Sequence, residues 1–315
     1  MTVAAHRARS CVELVQSFRQ RMPKGRGEKL RFAGVGERDV YNITAPFLDE
    51  GEWVIAGRVE HRNDERSQVM FFIERDGVWV PREGAPVFPL QDPFFTFIGG
   101  ELVFGGVEVE FDPDDPYYIT TWRTVFYRGP RVMDLRRFAV GPPAMKDIRL
   151  VEIGKNRIGM FTRPMIVGKT RAVIGYTEIA SLDALTVEAI ERADLLIGQF
   201  APDEWGGGNE AMLLRNGWIG VLGHIAYMDE ANYRHYYPMT FGFHPDTKRH
   251  TPIKLIATRD MFPAGPAKRP DLADVLFSGG LCRNGDGTAT LYTGVSDAEA
   301  HRIVIDDPFL EYEAL

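Results

Sequence analysis

The sequence predicts an all-β protein, a five-bladed β-propeller with a short N-terminal helix, and three observations lead there. Beyond residue 30, short runs rich in Val, Ile, Phe, Tyr and Trp alternate with turn signals, and few stretches carry helical spacing. Paired turn residues sit between or before such runs: Asp76-Gly77, Gly99-Gly100 and Asn216-Gly217. Two-residue hairpins need residues of this kind because their backbone enters the left-handed region. An approach strand, a tight turn and a return strand also recur near residues 40–80, 90–130, 145–180, 205–245 and 274–306. A repeat of about 40 to 60 residues with several strands per unit is a propeller signature. It lets all 315 residues form one unit rather than two domains.

In chain order, Met1 to Met22 is Arg-rich, with Val12, Leu14, Val15 and Phe18 at amphipathic spacing. It reads as a short helix packed outside the main domain; Glu13 argues against a transit peptide, which is acid-poor. The division expected is a helical segment over 1–30 and a single propeller domain over 31–315. Strands are expected at Trp53–Ala56, Val69–Ile73, Phe94–Ile98, Leu102–Phe104, Ile158–Phe161 and Trp218–Leu222. Asp183 to Asp194 has helical spacing but fits a connector or strand pair equally well. Pro263 to Pro270 reads as a surface loop between blades.

With 44% hydrophobic and 26% charged residues the chain can bury a full core. A net charge of -7 without a long basic block argues against a nucleic-acid or acidic-membrane partner. No run approaches a membrane span and no signal peptide is evident, so a cytoplasmic location is the expectation. Cys11 and Cys282 cannot build a disulfide framework and read as reduced, structural thiols.

Motifs for nucleotide-dependent kinases, nicotinamide binding, zinc hydrolysis and serine nucleophiles are absent. The seven histidines are scattered, so no metal site is expected. The acidic turn Asp112-Pro113-Asp114-Asp115-Pro116 reads as a solvated loop rather than a calcium site. In Gln91-Asp92-Pro93-Phe94, Pro93 disfavours helix at Asp92 and puts its carboxylate at a strand entry, where a propeller strand meets the central funnel. Alone, the simpler reading is a turn aspartate. Lys146 and Arg163 either converge on an anion, Arg being suited to phosphate, or line a charged face. His224 ends an apolar strand, as structural histidines also do, and Tyr233-Arg234 follow. The last unit closes on Tyr292 through Asp297.

Taken together and in this order, these strings resemble the protozoan mannosyltransferase/mannogen-phosphorylase family, related to the glycoside hydrolase family 130 β-mannoside phosphorylases. The resemblance covers about residues 33 to 306. Asn42 and Arg58 resemble the family's Asn element and its Tyr-Arg strand, with Ile43 a departure. Gln91-Asp92-Pro93-Phe94 resembles Glu-Asp-Pro-Arg without its flanking Glu and Arg. Lys146-Asp147 and Thr162-Arg163-Pro164 resemble the phosphate string, and Gly217-Trp218 through His224 the Gly-Trp-Leu strand. Trp205-Gly206-Gly207-Gly208-Asn209-Glu210 lacks the lysine of the family's Gly-rich segment.

The resemblance implies an inverting enzyme that moves mannose between β-1,2-linked oligosaccharides and α-mannose 1-phosphate, and in some members uses GDP-mannose. It implies Asp92 as catalytic acid and base. It implies phosphate contacts from Lys146, Arg163, His224 and Tyr233, and sugar contacts from Asn42, Arg58, Asp147, Asn209, Glu210 and Asp297. Trp205, Tyr227 or Phe94 would stack on sugars. Inorganic phosphate is then a co-substrate and no cofactor is implied. The alternatives are a β-mannoside hydrolase, with Glu210 or Asp297 as base, and a non-catalytic glycan-binding propeller.

Overall fold

The computed structural model describes residues 8–21, 23–115, 118–165 and 172–315. Among these the chain is mostly β, and its strands form four hydrogen-bonded sheets. The first sheet holds Asp39–Tyr41, Glu52–Glu60, Gln68–Arg75 and Val78–Pro81, with Phe47–Asp49 also paired to Glu52–Glu60. The second holds Gln91–Ile98, Glu101–Phe111, Ile119–Gly129 and Arg136–Val140, and the third Arg149–Gly154, Arg157–Thr162, Gly175–Ile179 and Asp194–Leu195.

The fourth sheet is eight-stranded and has two antiparallel halves. One contains Trp205–Leu213, Ile219–Met228, Arg234–Phe243 and Lys254–Leu255; the other contains Asp274–Arg283, Thr288–Val295 and Glu299–Asp306. A two-residue parallel pairing of His235 with Asp274 and Tyr236 with Val275 joins them. At the far edge Glu28–Lys29 pairs with Arg302 and His301, so the segment leading into the first sheet is hydrogen-bonded to the last strand.

Every apolar run expected to be a strand lies in one, except that Trp218 precedes its strand. Gly99 and Gly100 both have positive φ, as do Asp76 and Gly77, and each pair is a two-residue hairpin. Between Asp183 and Asp194 the structure has a 3₁₀ turn, Leu182–Ala184, and a short helix, Val187–Glu191, whose N-terminus Thr186 caps through Ala189 N–H. At the acidic turn Asp112 Oδ1 accepts from the Asp114 and Asp115 N–H groups. Pro116 falls outside the described residues. The Pro263–Pro270 stretch is irregular and mostly exposed, but it carries Lys268 into a buried position.

Apolar clusters fill the spaces between successive sheets. Phe47, Val54 and Phe71 meet Leu102 and Phe104 between the first and second. Phe94 and Phe126 meet Leu150 and Met160 between the second and third, and Phe161 and Tyr176 meet Val221 and Phe241 between the third and fourth. Leu222 meets Leu276 and Leu291 between the halves of the fourth, and Ile43, Ile55 and Phe72 meet Tyr292 and Ala300 where the last half reaches the first sheet. Burying one such side chain stabilises by roughly 1.5–3 kcal/mol.

The helix Cys11–Gln20 buries Cys11, Leu14 and Phe18 against the third-to-fourth cluster. Ser10 Oγ accepts from Glu13 N–H while the Glu13 carboxylate accepts from Ser10 N–H, a capping box. Both cysteines are free. Burial pushes the Cys282 thiol up to about 11 and that of Cys11 higher still. No helix among the described residues is long and apolar enough to cross a membrane.

Candidate active site

Twelve non-glycine residues among those described hold left-handed backbone, and four of them come together here: Asn42 (φ 44°), Asp92 (φ 47°), Asp147 (φ 61°) and Asp297 (φ 50°). Asn and Asp tolerate this region better than other side chains, yet such positions still cost about 1–3 kcal/mol and gather at functional sites. At Asp92 the cause is local. The register between Gln91–Ile98 and its neighbour shifts between Gln91 and Phe94, and Pro93 within that bulge has no N–H to pair.

Asp92 is buried, and its carboxylate is surrounded by donors. Asn42 Nδ2 donates to Oδ1 at 2.8 Å and Arg58 donates to the same oxygen at 3.2 Å; Lys146 Nζ lies 3.4 Å from Oδ2. Burial pushes the carboxyl up, but Lys146 and Arg58 together with these hydrogen bonds outweigh it and hold Asp92 well below the usual carboxylate range. Arg58 is itself fixed: its Nε donates to Ser67 Oγ at 2.8 Å and to Glu60 at 3.1 Å, and its guanidinium lies 5.0 Å from the Tyr41 ring centroid. Glu60, fully buried, also accepts from Tyr41, Ser67 and Lys268. Asp297 faces the same charges. Burial and the Asp92 carboxylate push its carboxyl up, and Arg58, Lys268 and Lys146 oppose that rise.

A second group adjoins through Lys146, whose charge is felt by Asp147 and His224 as well as Asp92. Asp147 pairs with Arg163 at 3.2 Å and Arg149 at 3.7 Å. Arg163 Nε donates to Gly206 O at 2.9 Å. His224 Nδ1 lies 2.8 Å from Asn209 Oδ1, and burial pulls the imidazole down to about 3, so it is neutral near pH 7. Tyr236 stacks on its ring at 5.5 Å and is held by Trp205 Nε1 at 3.2 Å.

Three atoms of these two groups, Asn42 Oδ1, Asn209 Nδ2 and His224 Nε2, are buried without a hydrogen-bond partner. Native structures rarely leave such atoms unpaired, so here they are open to a polar ligand or to water. Among the described residues no group of three or more His, Cys, Asp or Glu is arranged to hold a metal.

Most of the residues expected from sequence therefore converge: Asn42, Arg58, Asp92, Lys146, Asp147, Arg163, Asn209, His224 and Asp297. Tyr233 is a correction. It is exposed on the turn before its strand, with its N–H bonded to Asp229, and Tyr236 is the tyrosine at the site. Glu210 is a second correction: it follows a bulge after Gly208 and faces a separate cavity of about 260 Å³ lined by Phe95, Phe97, Arg149 and Leu213. There it accepts from Leu281 N–H, and burial pushes it up to about 7.

The aromatic expectation is also corrected. Phe94 is buried 4.0 Å beneath Arg149, Tyr227 stacks on His235, and Trp205 is buried. The Gly-rich segment is a strand, and a Cβ at Gly207 would lie 2.6 Å from Arg163 Cδ. Glycine there lets Arg163 lie flat beside Asp147. Sequence reading missed Glu60, Lys268, Arg149 and Tyr236.

A family model described as a protein of unknown function (DUF1861) matches residues 16–311. No curated protein sequence matches the chain. A mannose phosphorylase from Leishmania mexicana, MPT-4, solved with a phosphate ion, is 34% identical with a TM-score of 0.87, over 96% of this chain and 94% of that one. A GDP-Man-dependent mannosyltransferase from the same organism, MPT-1, is 34% identical with a TM-score of 0.86, over 95% of each chain. A β-1,2-mannobiose phosphorylase from Listeria innocua shares the fold at 14% identity, with a TM-score of 0.64 over 88% of this chain and 93% of that one.

Proposed function

Because the chain belongs to the DUF1861 family and to that of the Leishmania mannose phosphorylase and mannosyltransferase, we propose that it is a glycosyl-transferring enzyme acting on mannose. In finer terms it is an inverting β-1,2-mannan phosphorylase and mannosyltransferase that exchanges mannose with α-mannose 1-phosphate. The observation that carries the reading is the buried carboxylate of Asp92 with two cations, Lys146 and Arg163, and the neutral imidazole of His224 beside it. We read the fold as a five-bladed propeller formed by residues 31–315. The five strand groups obtained by dividing the fourth sheet at its parallel pairing, and the apolar cluster between each consecutive pair, support that reading.

In this account Asp92 donates a proton to the departing glycosidic oxygen while phosphate attacks the anomeric carbon from the opposite face. An inverting hydrolase needs a second carboxylate, roughly 6.5–9.5 Å away, to activate water. Phosphate arrives already ionised and needs fixed positive charge instead, which Lys146 and the Arg163 guanidinium supply. Asn42, Arg58, Asn209 and Asp297 hold sugar hydroxyls; the raised carboxyl of Asp297 suits it to that task. In synthesis Asp92 is the base that takes the acceptor's proton.

With α-mannose 1-phosphate and β-1,2-mannobiose, the enzyme should lengthen the acceptor and release one phosphate per mannose added, read by NMR of the new anomeric proton. A parallel reaction with GDP-mannose identifies the donor. If folded protein lengthens the acceptor from neither donor, the reading is wrong. A further expectation concerns the phosphate cradle: Gly207→Ala should push Arg163 away from Asp147. It should raise the KM for phosphate about tenfold, equivalent to about 1.4 kcal/mol, with kcat changed less.

A further inference from the structure

Resting on the phosphorylase reading, we propose that Lys146 changes partner in each turnover. It holds Asp92 as a carboxylate before phosphate binds, then turns to the bound phosphate and frees Asp92 to take up the proton it later donates. The geometry creates the need for such a step. A general acid must carry a proton, yet Asp92 Oδ1 is filled by donors from Asn42 and Arg58, and Oδ2 lies against an ammonium. Of the two cations only Lys146 can leave. Arg58 is bonded to Ser67, Glu60 and Glu65 and packed over Tyr41, and its side chain is 6% exposed. Lys146 is 36% exposed, touches Asp92 at the long distance of 3.4 Å and sits on a flexible four-carbon stem.

The other charged groups that bear on Asp92 fit this picture. Asp147 and Arg163, on the phosphate side, act on Lys146 together with Asp92. Asp297 adds negative charge beside Asp92, and Arg149 lies beyond, tied to Asn209 O. Lys146 and Arg58 are the charges that keep Asp92 ionised, so the departure of Lys146 removes a large part of the force against protonation.

The proton count closes. Phosphate binding draws one proton from solvent onto Asp92, and Lys146 keeps its own. Phosphate oxygen then forms the new bond to the anomeric carbon as the old C–O bond breaks, and the leaving oxygen takes the Asp92 proton. The products are the free sugar hydroxyl, mannose 1-phosphate and an Asp92 carboxylate that Lys146 can rejoin. Synthesis runs the same cycle backwards.

Sulfate serves as a tetrahedral anion that does not itself titrate near pH 5. Calorimetry at pH 5 in two buffers of different protonation enthalpy gives the protons taken up per sulfate bound. The wild type should take up a substantial fraction of one proton, Asp92→Asn essentially none, and Lys146→Met clearly less than wild type. Binding without proton uptake, or equal uptake in Asp92→Asn, which would point to His224 instead, overturns the exchange and leaves the phosphate site standing. No sulfate binding to folded wild-type protein overturns both.

Discussion

Asp92→Asn is expected to lower the rate of phosphorolysis by about 10²- to 10⁴-fold, the usual contribution of a general acid. The protein should stay folded, because the amide is nearly the same size and Arg58 keeps its bonds to Glu60 and Ser67. What the substitution removes is the carboxylate that contacts both Lys146 and Arg58 and that, in the proposed mechanism, releases and recovers the proton at the leaving oxygen. Activity read by phosphate release, beside a thermal unfolding curve of each variant, separates loss of chemistry from loss of fold. A variant that keeps wild-type activity would take Asp92 out of the mechanism.

Glu60→Ala should produce the largest loss of stability of any single change near the site. Glu60 receives Arg58, Lys268, Tyr41 and Ser67 with none of its side chain exposed. Removing one member of a buried ion pair costs about 3–5 kcal/mol, because the partner charge stays behind uncompensated. Here two buried cations are left. Urea unfolding should show a lower midpoint with little change in slope. Glu60→Gln, which keeps the side chain's shape and one acceptor oxygen for either Ser67 or Tyr41, should lose less. An unfolding free energy within about 0.5 kcal/mol of wild type for Glu60→Ala would mean that Arg58 is held by other contacts.

The strands were legible in the sequence because turn chemistry punctuates them. Gly99-Gly100 and Asp76-Gly77 leave only one compact way to reverse the chain, and the apolar runs between them set the strand positions. Asp92 was legible because Pro93 restricts it and breaks the ladder. The tyrosine was missed because the strand start was not visible: Tyr233 lies in the turn, while Tyr236 lies within the strand Arg234–Phe243, beside His224.

Glu210 carried a signal that could have been read. Adjacent strand residues face opposite sides, so Asn209 and Glu210 cannot both serve one site, and the bulge between Gly208 and Glu210 decides which does. Glu60 and Lys268 were hidden for a different reason. Each sits in a stretch rich in polar or turn residues that reads as a solvated loop, and their pairing spans 208 residues of chain. Only the folded arrangement brings them together.

Phosphate dependence tests the central claim most directly. Purified protein is incubated with β-1,2-mannotriose with and without inorganic phosphate, and the products are followed by phosphorus and proton NMR. The account predicts α-mannose 1-phosphate and mannobiose only when phosphate is present. Release of free mannose at the same rate without phosphate would contradict it and identify a hydrolase.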